Sequence, residues 1–518
     1  MSAELEACIL LSVIFSALGA FDYDYRLPDN IRPIKYQLSF DIKQDSAYQK
    51  GEVLINAKVI KDADEIILHV NPDFVTIKKY ELYLLNDNDA GEQEVLFLLP
   101  VESQETVSLL LAKTLKANQS IEIYFQYKFK INTGIDSGAF RSTKDDPDGR
   151  AIEFATKCQP MGARKIFPCF DEPKFKARFQ VEQVKFTHRH HRSYTALTNM
   201  DRASRKILSN TESVFTYAAA SPPMSTYLFA LVVGRFARRG VAYSASGLRV
   251  TIWSDREYEK EARIAAQQVD ELENLFQMKT TIQKIDIIQM DDYPGATENW
   301  GCVLMKDPSF LPILSHELIH EWFGNVVTLE WWSDLILNEG LTSFYEAKGY
   351  DFQLSQSDLQ RNLRRDKSGA FKSLWETSFY QTNNKKDRYW LEDLLAEFQE
   401  AVDAKKPSAS WNENSLDVSK FLHNWIYDKG YPNVAIGHDK AKETLTFLQK
   451  PAKSSWSDVK WYIPIFLAYQ DVPLTILWLE PEKTLHLNIG KRDVKKLEFN
   501  YGNITYANFQ LYECKNGC

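Results

Sequence analysis

The chain is poor in cysteine. Six residues in 518 are cysteine: Cys8, Cys158, Cys169, Cys302, Cys514 and Cys518. None forms a Cys-x-x-Cys pair, which argues against a thiolate zinc site and a thioredoxin-type motif, and the count is too low for a disulfide scaffold. Cys514 and Cys518 are close enough in sequence to pair, but spacing alone does not fix a bridge. Positive charge is also not in excess. Lys+Arg 62 against Asp+Glu 70 gives a net charge of −8, with no long block of one sign. A nucleic-acid partner would require a basic footprint, so none is expected. No apolar stretch reaches the ~20 residues of a membrane-spanning helix, and there is no internal repeat or low-complexity segment. What remains is ordinary globular material, 44% hydrophobic and 25% charged, which can build a sizeable core. At roughly 150 residues per domain, the length suggests about three or four domains.

The N-terminus poses a targeting question. Cys8 to Ala20 is a run of 13 apolar and small residues, too short to span a bilayer but of signal-peptide length. Glu4 and Glu6 stand where a signal peptide carries basic residues. Residues 1–20 are read as a signal peptide, with a secreted or cell-surface location expected and a cytoplasmic one as the alternative. Membrane association is expected only through this segment. Asn118-Gln119-Ser120 and Asn503-Ile504-Thr505 are glycosylation sequons compatible with export.

Short alternating runs separated by polar turns recur up to about residue 232, as in Tyr36–Phe40, Val53–Ala57 and Ile121–Phe125. They predict a β saddle or sandwich. Helical periodicity begins near residue 256, with Ala262, Ile264, Ala265, Val269, Leu272 and Leu275 on one stripe between Glu257 and Phe276. Further helices are expected over Pro312–Val326, Asn338–Tyr350 and Leu391–Val402. Strands return after Gly430: Val434–Ile436, Thr444–Leu448, Tyr462–Leu467, Leu474–Trp478 and Leu485–Ile489. The expected organisation is a multidomain α+β chain. It has an N-terminal β domain (21–232), a helix-rich domain (233–429) and a small C-terminal β-sandwich (430–518).

Within the helical stretch lies His316-Glu317-Leu318-Ile319-His320. Four residues advance a helix by about 400°, so the two imidazoles share a face one turn apart and can grip one Zn²⁺. Glu317, next to the first ligand, is placed to act as general base on a water. The bland alternative is a helix with two histidines and a solvated glutamate. The downstream segment weighs against it, because Glu339 follows His320 after 18 intervening residues and supplies a third ligand. Three protein ligands and an open position are the pattern of a catalytic zinc. Asp334 is either a partner for a ligand imidazole or the N-cap of the second helix. His188-Arg189-His190-His191 also looks metal-like, but its polar surroundings predict a solvated turn.

The run His316–Thr328 with Trp331–Gly340 resembles the gluzincin zinc aminopeptidases of the aminopeptidase N family. The resemblance extends over most of the chain. Tyr25–Pro28, Gly138–Thr143, Ala163–Pro173 and Pro222–Tyr227 are similar to that family's N-terminal β domain. Trp425 with Lys429–Pro432 is similar to the junction into its third domain. The resemblance implies a thermolysin-like catalytic domain, one zinc ion per chain and peptide substrates with a free N-terminus. It implies a divergent member without the family's C-terminal helical domain. Gly295-Ala296-Thr297-Glu298-Asn299 resembles the family's Gly-Ala-Met-Glu-Asn exopeptidase motif, with Thr297 in place of Met. A buried carboxylate can hold a substrate α-ammonium by a charge-assisted hydrogen bond, and Glu298 is the candidate. Gly295 and Ala296 suit close approach of an extended peptide, and Asn299 completes the motif.

Three departures from the family stand out. Counting back from Ala163, the positions of a substrate-binding Gln and Glu hold Lys157 and Gln159. A lysine pointing inward would repel an ammonium. Only 16 residues separate Asn299 from His316, and Pro312 predicts a helix with a short lead before its first ligand. The family's tyrosine that donates to the developing oxyanion has no clear counterpart, with Tyr380, Tyr389 and Tyr427 as candidates. The expected function is a zinc aminopeptidase, possessing impaired turnover if that donor is missing. The alternative is a degenerate relative that binds peptides or acts as a scaffold. Glu298 disfavours an endopeptidase, because it blocks a chain continuing past the amine.

Overall fold

The computed structural model describes residues 26–44, 46–85, 91–132, 134–142, 152–189, 194–217, 219–343, 345–346, 388–389, 395–396, 399–400, 403, 417–427, 432–451, 460–470, 472–481, 483–499 and 507–513. They fall into two compact units, one within residues 20–350 and the other within 351–518.

The first unit begins with an eight-stranded sheet. Its order is Ser204–Ser209, Glu212–Thr216, Arg178–Thr187, Ile31–Lys43, Tyr48–Val59, Ser120–Lys130, Val75–Leu84 and Gly91–Glu92. Alternation decides its faces. Along Ile31–Lys43, Tyr36, Leu38, Phe40 and Ile42 are buried, while the residues between them face outward. A four-stranded sheet (Tyr194–Thr198, Leu231–Arg235, Ile152–Lys157, Gly138–Phe140) and a three-stranded sheet (Ala63–His69, Thr106–Leu115, Val95–Val101) complete the β part.

Next comes a five-stranded sheet in the order Arg238–Tyr243, Arg249–Ser254, Lys284–Gln289, Cys302–Met305, Ala296–Thr297. The parallel pair Arg249–Ser254 and Lys284–Gln289 is joined through helix Glu259–Phe276. Sequence periodicity identifies this helix but not the sheet around it, because Lys284–Gln289 is buried along its whole length and shows no alternation. The middle of the chain is therefore richer in strand than expected. One apolar cluster joins the two parts of the unit. Phe140, Ile152, Ala155, Leu197 and Val232 from the four-stranded sheet, with Ala230 just before its strand, pack with Ile288, Met290, Tyr293, Cys302 and Leu304. Burying each large apolar side chain contributes about 1.5–3 kcal/mol, so the five-stranded sheet is fixed against the β part.

The ligand helix runs over Leu311–Ile319, with Pro312 in its first turn as expected, but it stops well short of Val326. Beyond its end Glu321 N and Trp322 N donate to Leu318 O and Ile319 O in tighter turns, and Gly324, at φ +109°, donates its N–H to Val327 O at 2.7 Å where the chain folds back. Residues 339–343 and 345–346 are helical, within the expected Asn338–Tyr350 segment. Of Leu391–Val402, residues 395–396 and 399–400 are described, and they are helical. In the second unit all five expected strands appear, as Pro432–Asp439, Thr444–Pro451, Ile463–Tyr469, Val472–Leu479 and Leu485–Asn488. They form two small sheets that share one core around Phe447, Trp461 and Ile465.

Candidate metal centre and substrate site

A local turn starts the ligand helix. Asp307 Oδ1 accepts from Ser309 N at 2.9 Å and Ser309 Oγ at 2.7 Å, and Phe310 N donates to Asp307 O at 3.1 Å. Leu314, Leu318 and Ile319 bury one face. His316 and His320 lie on the same side, with ring centroids 4.6 Å apart. The fold-back after His320 and the kinked 3₁₀ segment Trp332–Leu337 then deliver Glu339. Glu339 Oε2 lies 3.3 Å from His316 Nε2 and 3.6 Å from His320 Nε2. One ligand atom from each of the three residues falls within 4.8 Å of the others. Four ligands about 2.0–2.1 Å from a tetrahedral metal stand about 3.3 Å from one another. Two imidazoles and a carboxylate at these separations fit zinc.

Each imidazole is held from behind. His316 Nδ1 lies 2.9 Å from Glu346 Oε2. His320 Nδ1 faces Phe323 O at 3.0 Å, Asn338 Oδ1 at 3.0 Å and Thr342 Oγ1 at 3.1 Å. With the proton on Nδ1, the Nε2 lone pair of each ring is directed to the metal position. The carboxylate behind a ligand ring is thus Glu346 rather than Asp334. Asp334 sits in the Trp332–Leu337 turn, whose N-cap is Trp331, and accepts from Ser333 Oγ at 3.3 Å. An aromatic cluster fixes the elements behind the ligands: Phe276 lies 5.3 Å from Trp322 and 5.0 Å from Tyr345, and Tyr345 stacks on Phe323 at 5.4 Å.

The electrostatics are those of a crowded, buried site. Burial pushes Glu317 up to about 8, against the pull of His320 and His316. Its Oε2 is buried and has no hydrogen-bond partner among the described residues. Burial also raises Glu298, with Glu339 adding to the shift. Burial would lower both histidines, but Glu339 with Glu346 holds His316 well above its usual range, and Glu339 with Glu298 lifts His320 to about 9. Glu339 itself is held far below the usual carboxylate range, because the two imidazoles outweigh its burial.

The residues expected to face a substrate come together as well. Glu298, 4% exposed, accepts from Gln159 Nε2 at 2.7 Å, and its backbone O accepts from Asn325 Nδ2 at 3.2 Å. Ala296 pairs with Met305 and Thr297 with Leu304 on the free edge of the five-stranded sheet. Gly295 precedes them at φ +97°. Asn299 is fully buried, and neither polar atom of its side chain has a partner among the described residues. Lys157, at the end of its strand, is half-buried.

Of the tyrosine candidates, Tyr380 lies outside the described residues. Tyr389 and Tyr427 end a short strand and a helix, and their side chains are likewise outside them. Two other tyrosines lie near the acidic groups with their hydroxyls engaged: Tyr227 donates to Gly324 O at 2.8 Å, and Tyr293 OH meets Thr297 Oγ1 at 2.6 Å. His188 is not a solvated turn residue. It is buried, stacked on Phe186 at 5.7 Å and tilted against Tyr194 at 5.1 Å. His190 and His191 lie outside the described residues.

Sequence reasoning missed Glu346, Asn338, Thr342 and Glu321. Glu346 had a signal, since it follows Glu339 by seven residues, two helical turns along one face. Glu321 had none; burial raises its carboxyl to about 8, and it accepts from Gly301 N at 3.3 Å.

Comparison with known proteins agrees with this geometry. Residues 32–228 match the Peptidase M1 N-terminal domain and residues 260–434 the Peptidase family M1 domain. Glutamyl aminopeptidase of Rattus norvegicus is 32% identical over 350 residues, covering 63% of this chain and 36% of that protein. Glutamyl aminopeptidase of Mus musculus is 33% identical over the same shares. Endoplasmic reticulum aminopeptidase 2 of Bos taurus is 30% identical over 360 residues, 62% of this chain and 35% of that protein. The match thus spans about a third of the length of these relatives. With both domain matches in sequence order and the ligand cluster assembled within the second, the chain belongs to peptidase family M1.

Proposed function

We propose that the chain is a zinc-dependent aminopeptidase that releases N-terminal residues from peptides. The observation that carries this reading is the three-ligand cluster of His316, His320 and Glu339 beside the buried, unpartnered carboxylate oxygen of Glu317. Zinc, when bound, supplies Lewis acidity toward the scissile carbonyl and lowers the pKa of water.

The protein's part is positioning and proton transfer. Glu317, raised by burial toward neutrality, takes the proton of the attacking water and passes it to the leaving amine. Glu298 with Gln159 holds the substrate ammonium, which sets cleavage after the first residue. Edge strand Ala296–Thr297, which has no outer strand among the described residues, would pair with an extended peptide backbone. A secretory location accords with the N-terminal apolar run and with a relative named for the endoplasmic reticulum.

The test is threefold. Metal analysis of the purified chain should give about one zinc, lost on His320→Ala. Glu317→Gln should retain the metal and abolish hydrolysis of an aminoacyl reporter. Free-amine peptides should be cleaved and N-acetylated ones ignored. A zinc-free wild type, or equal cleavage of both substrate forms, overturns the reading.

A further inference from the structure

Glu298 follows a short edge strand, with its carboxylate held by Gln159 and its backbone O by Asn325. The strand before it is two residues long, is paired on one side only among the described residues and follows Gly295 at φ +97°. A Cβ placed on Gly295 would meet nothing within 4 Å among the described residues. Yet an ammonium anchor must be placed to within a fraction of an ångström, because charge-assisted hydrogen bonds weaken steeply with distance and angle.

A further restraint is a pair of hydroxyls. Thr297 Oγ1 donates to Ala296 O at 2.8 Å, and therefore accepts the Tyr293 hydroxyl proton at 2.6 Å. The Tyr293 ring is 1% exposed and belongs to the apolar cluster that joins the two parts of the unit, 6.2 Å from the Phe140 ring. A rigid core thus reaches, through one hydroxyl bridge, the residue immediately before Glu298. Thr297 occupies the place where the resembling motif carries Met, which has no hydroxyl to make this bond.

We propose that Tyr293 and Thr297 are positioning residues whose hydroxyl bridge holds the edge strand so that the Glu298 carboxylate meets the substrate ammonium. The proposal rests on the reading of Glu298 as that anchor. The bridge is the specific device by which this chain trades a thioether for a fixed polar contact.

The experiment measures binding of an amino-acid hydroxamate and of its N-acetyl counterpart to the full zinc-loaded chain by calorimetry. It adds KM and kcat on an aminoacyl reporter. The ratio of the two affinities is the free-amine preference. Tyr293→Phe and Thr297→Val should each shrink that preference by about three- to tenfold, the worth of one buried neutral hydrogen bond. KM should rise with kcat little changed, because the loss is one of uniform binding. The double variant should be no worse than either single one, since both delete the same bond. Thr297→Ser, which keeps the hydroxyl, should retain the preference. A purely structural role would lower the melting temperature and the active fraction but leave the ratio intact. A wild type that prefers the free amine, with singles that keep the preference or whose losses add, overturns the proposal and leaves Glu298 as anchor. A wild type with no preference overturns both.

Discussion

Removal of the Glu346 carboxylate should weaken zinc binding more than removal of any single partner of His320. Glu346 Oε2 is the acceptor shown behind His316, at 2.9 Å from Nδ1. In Glu346→Ala the ring keeps its place on the helix but loses the group that fixes its tautomer and raises its basicity. Losses of this kind cost about 10- to 100-fold in metal affinity, or about 1.4–2.7 kcal/mol at 1.36 kcal/mol per tenfold. The Glu346 side chain is 30% exposed, so water can replace part of the contact, and the lower end, about tenfold, is expected. Glu346→Gln retains an acceptor without the charge and should fall between Ala and wild type. The contrast is Asn338→Ala. His320 Nδ1 has Phe323 O and Thr342 Oγ1 as well as Asn338 Oδ1, so the loss of one acceptor leaves two and should cost less. Competition against a chromophoric zinc chelator gives both dissociation constants. An unchanged Kd in Glu346→Ala, or a larger effect in Asn338→Ala, refutes the reasoning.

Gly324→Ala should both destabilise the chain and weaken the metal site. The position requires φ +109°, and an added Cβ would stand 2.1 Å from Asn338 Oδ1, so a loss of about 1–3 kcal/mol is expected from the backbone alone; an unchanged melting temperature would contradict this. Zinc loading at pH 7 should release at least two protons, because the carboxylates keep His316 charged and lift His320 to about 9 in the metal-free chain, with Glu317 at about 8 a further source. Zinc affinity should then rise as pH rises through those values, as a pH indicator in weak buffer can follow; loading without proton release would count against the ligand assignment. Asp307 is partly buried, which would raise its carboxyl, but the bonds from Ser309 and Tyr258 hold it below its usual value. Its contribution to stability is therefore present above the unfolded value near 4 and is lost as pH falls through the lower folded value. Asp307→Asn should flatten that part of the acid-unfolding curve, and an unaltered acid limb would show that the turn does not matter.

What could be read from sequence follows the range over which each signal acts. The histidine pair and Glu317 were legible because helical spacing is local: residues 316 and 320 share a face whatever else the chain does. Glu339 was legible from the resemblance as well as from the acidic residue at a fixed interval. The strands of the second unit were legible because one face of each is buried and the alternation survives, as in Pro432–Asp439. Strand Lys284–Gln289 fails for the converse reason, since it is buried on both faces and its charged ends are satisfied inside. Lys284 Nζ donates to Asp286 Oδ2 at 2.8 Å and to Gly301 O at 2.7 Å, so polar letters that suggest exposure mark a core position instead. The fold-back after the ligand helix escaped because a glycine inside a helical pattern is ambiguous until its partner is known. For Gly324 that partner is Asn338, fourteen positions away in sequence and in contact in space. The same holds for Tyr293 and Thr297. Thr297 alone reads as a departure from a motif and Tyr293 as an ordinary core aromatic, and only their 2.6 Å contact joins the two. Divergence at this site is therefore better judged by pairs of residues in contact than by positions scored one at a time.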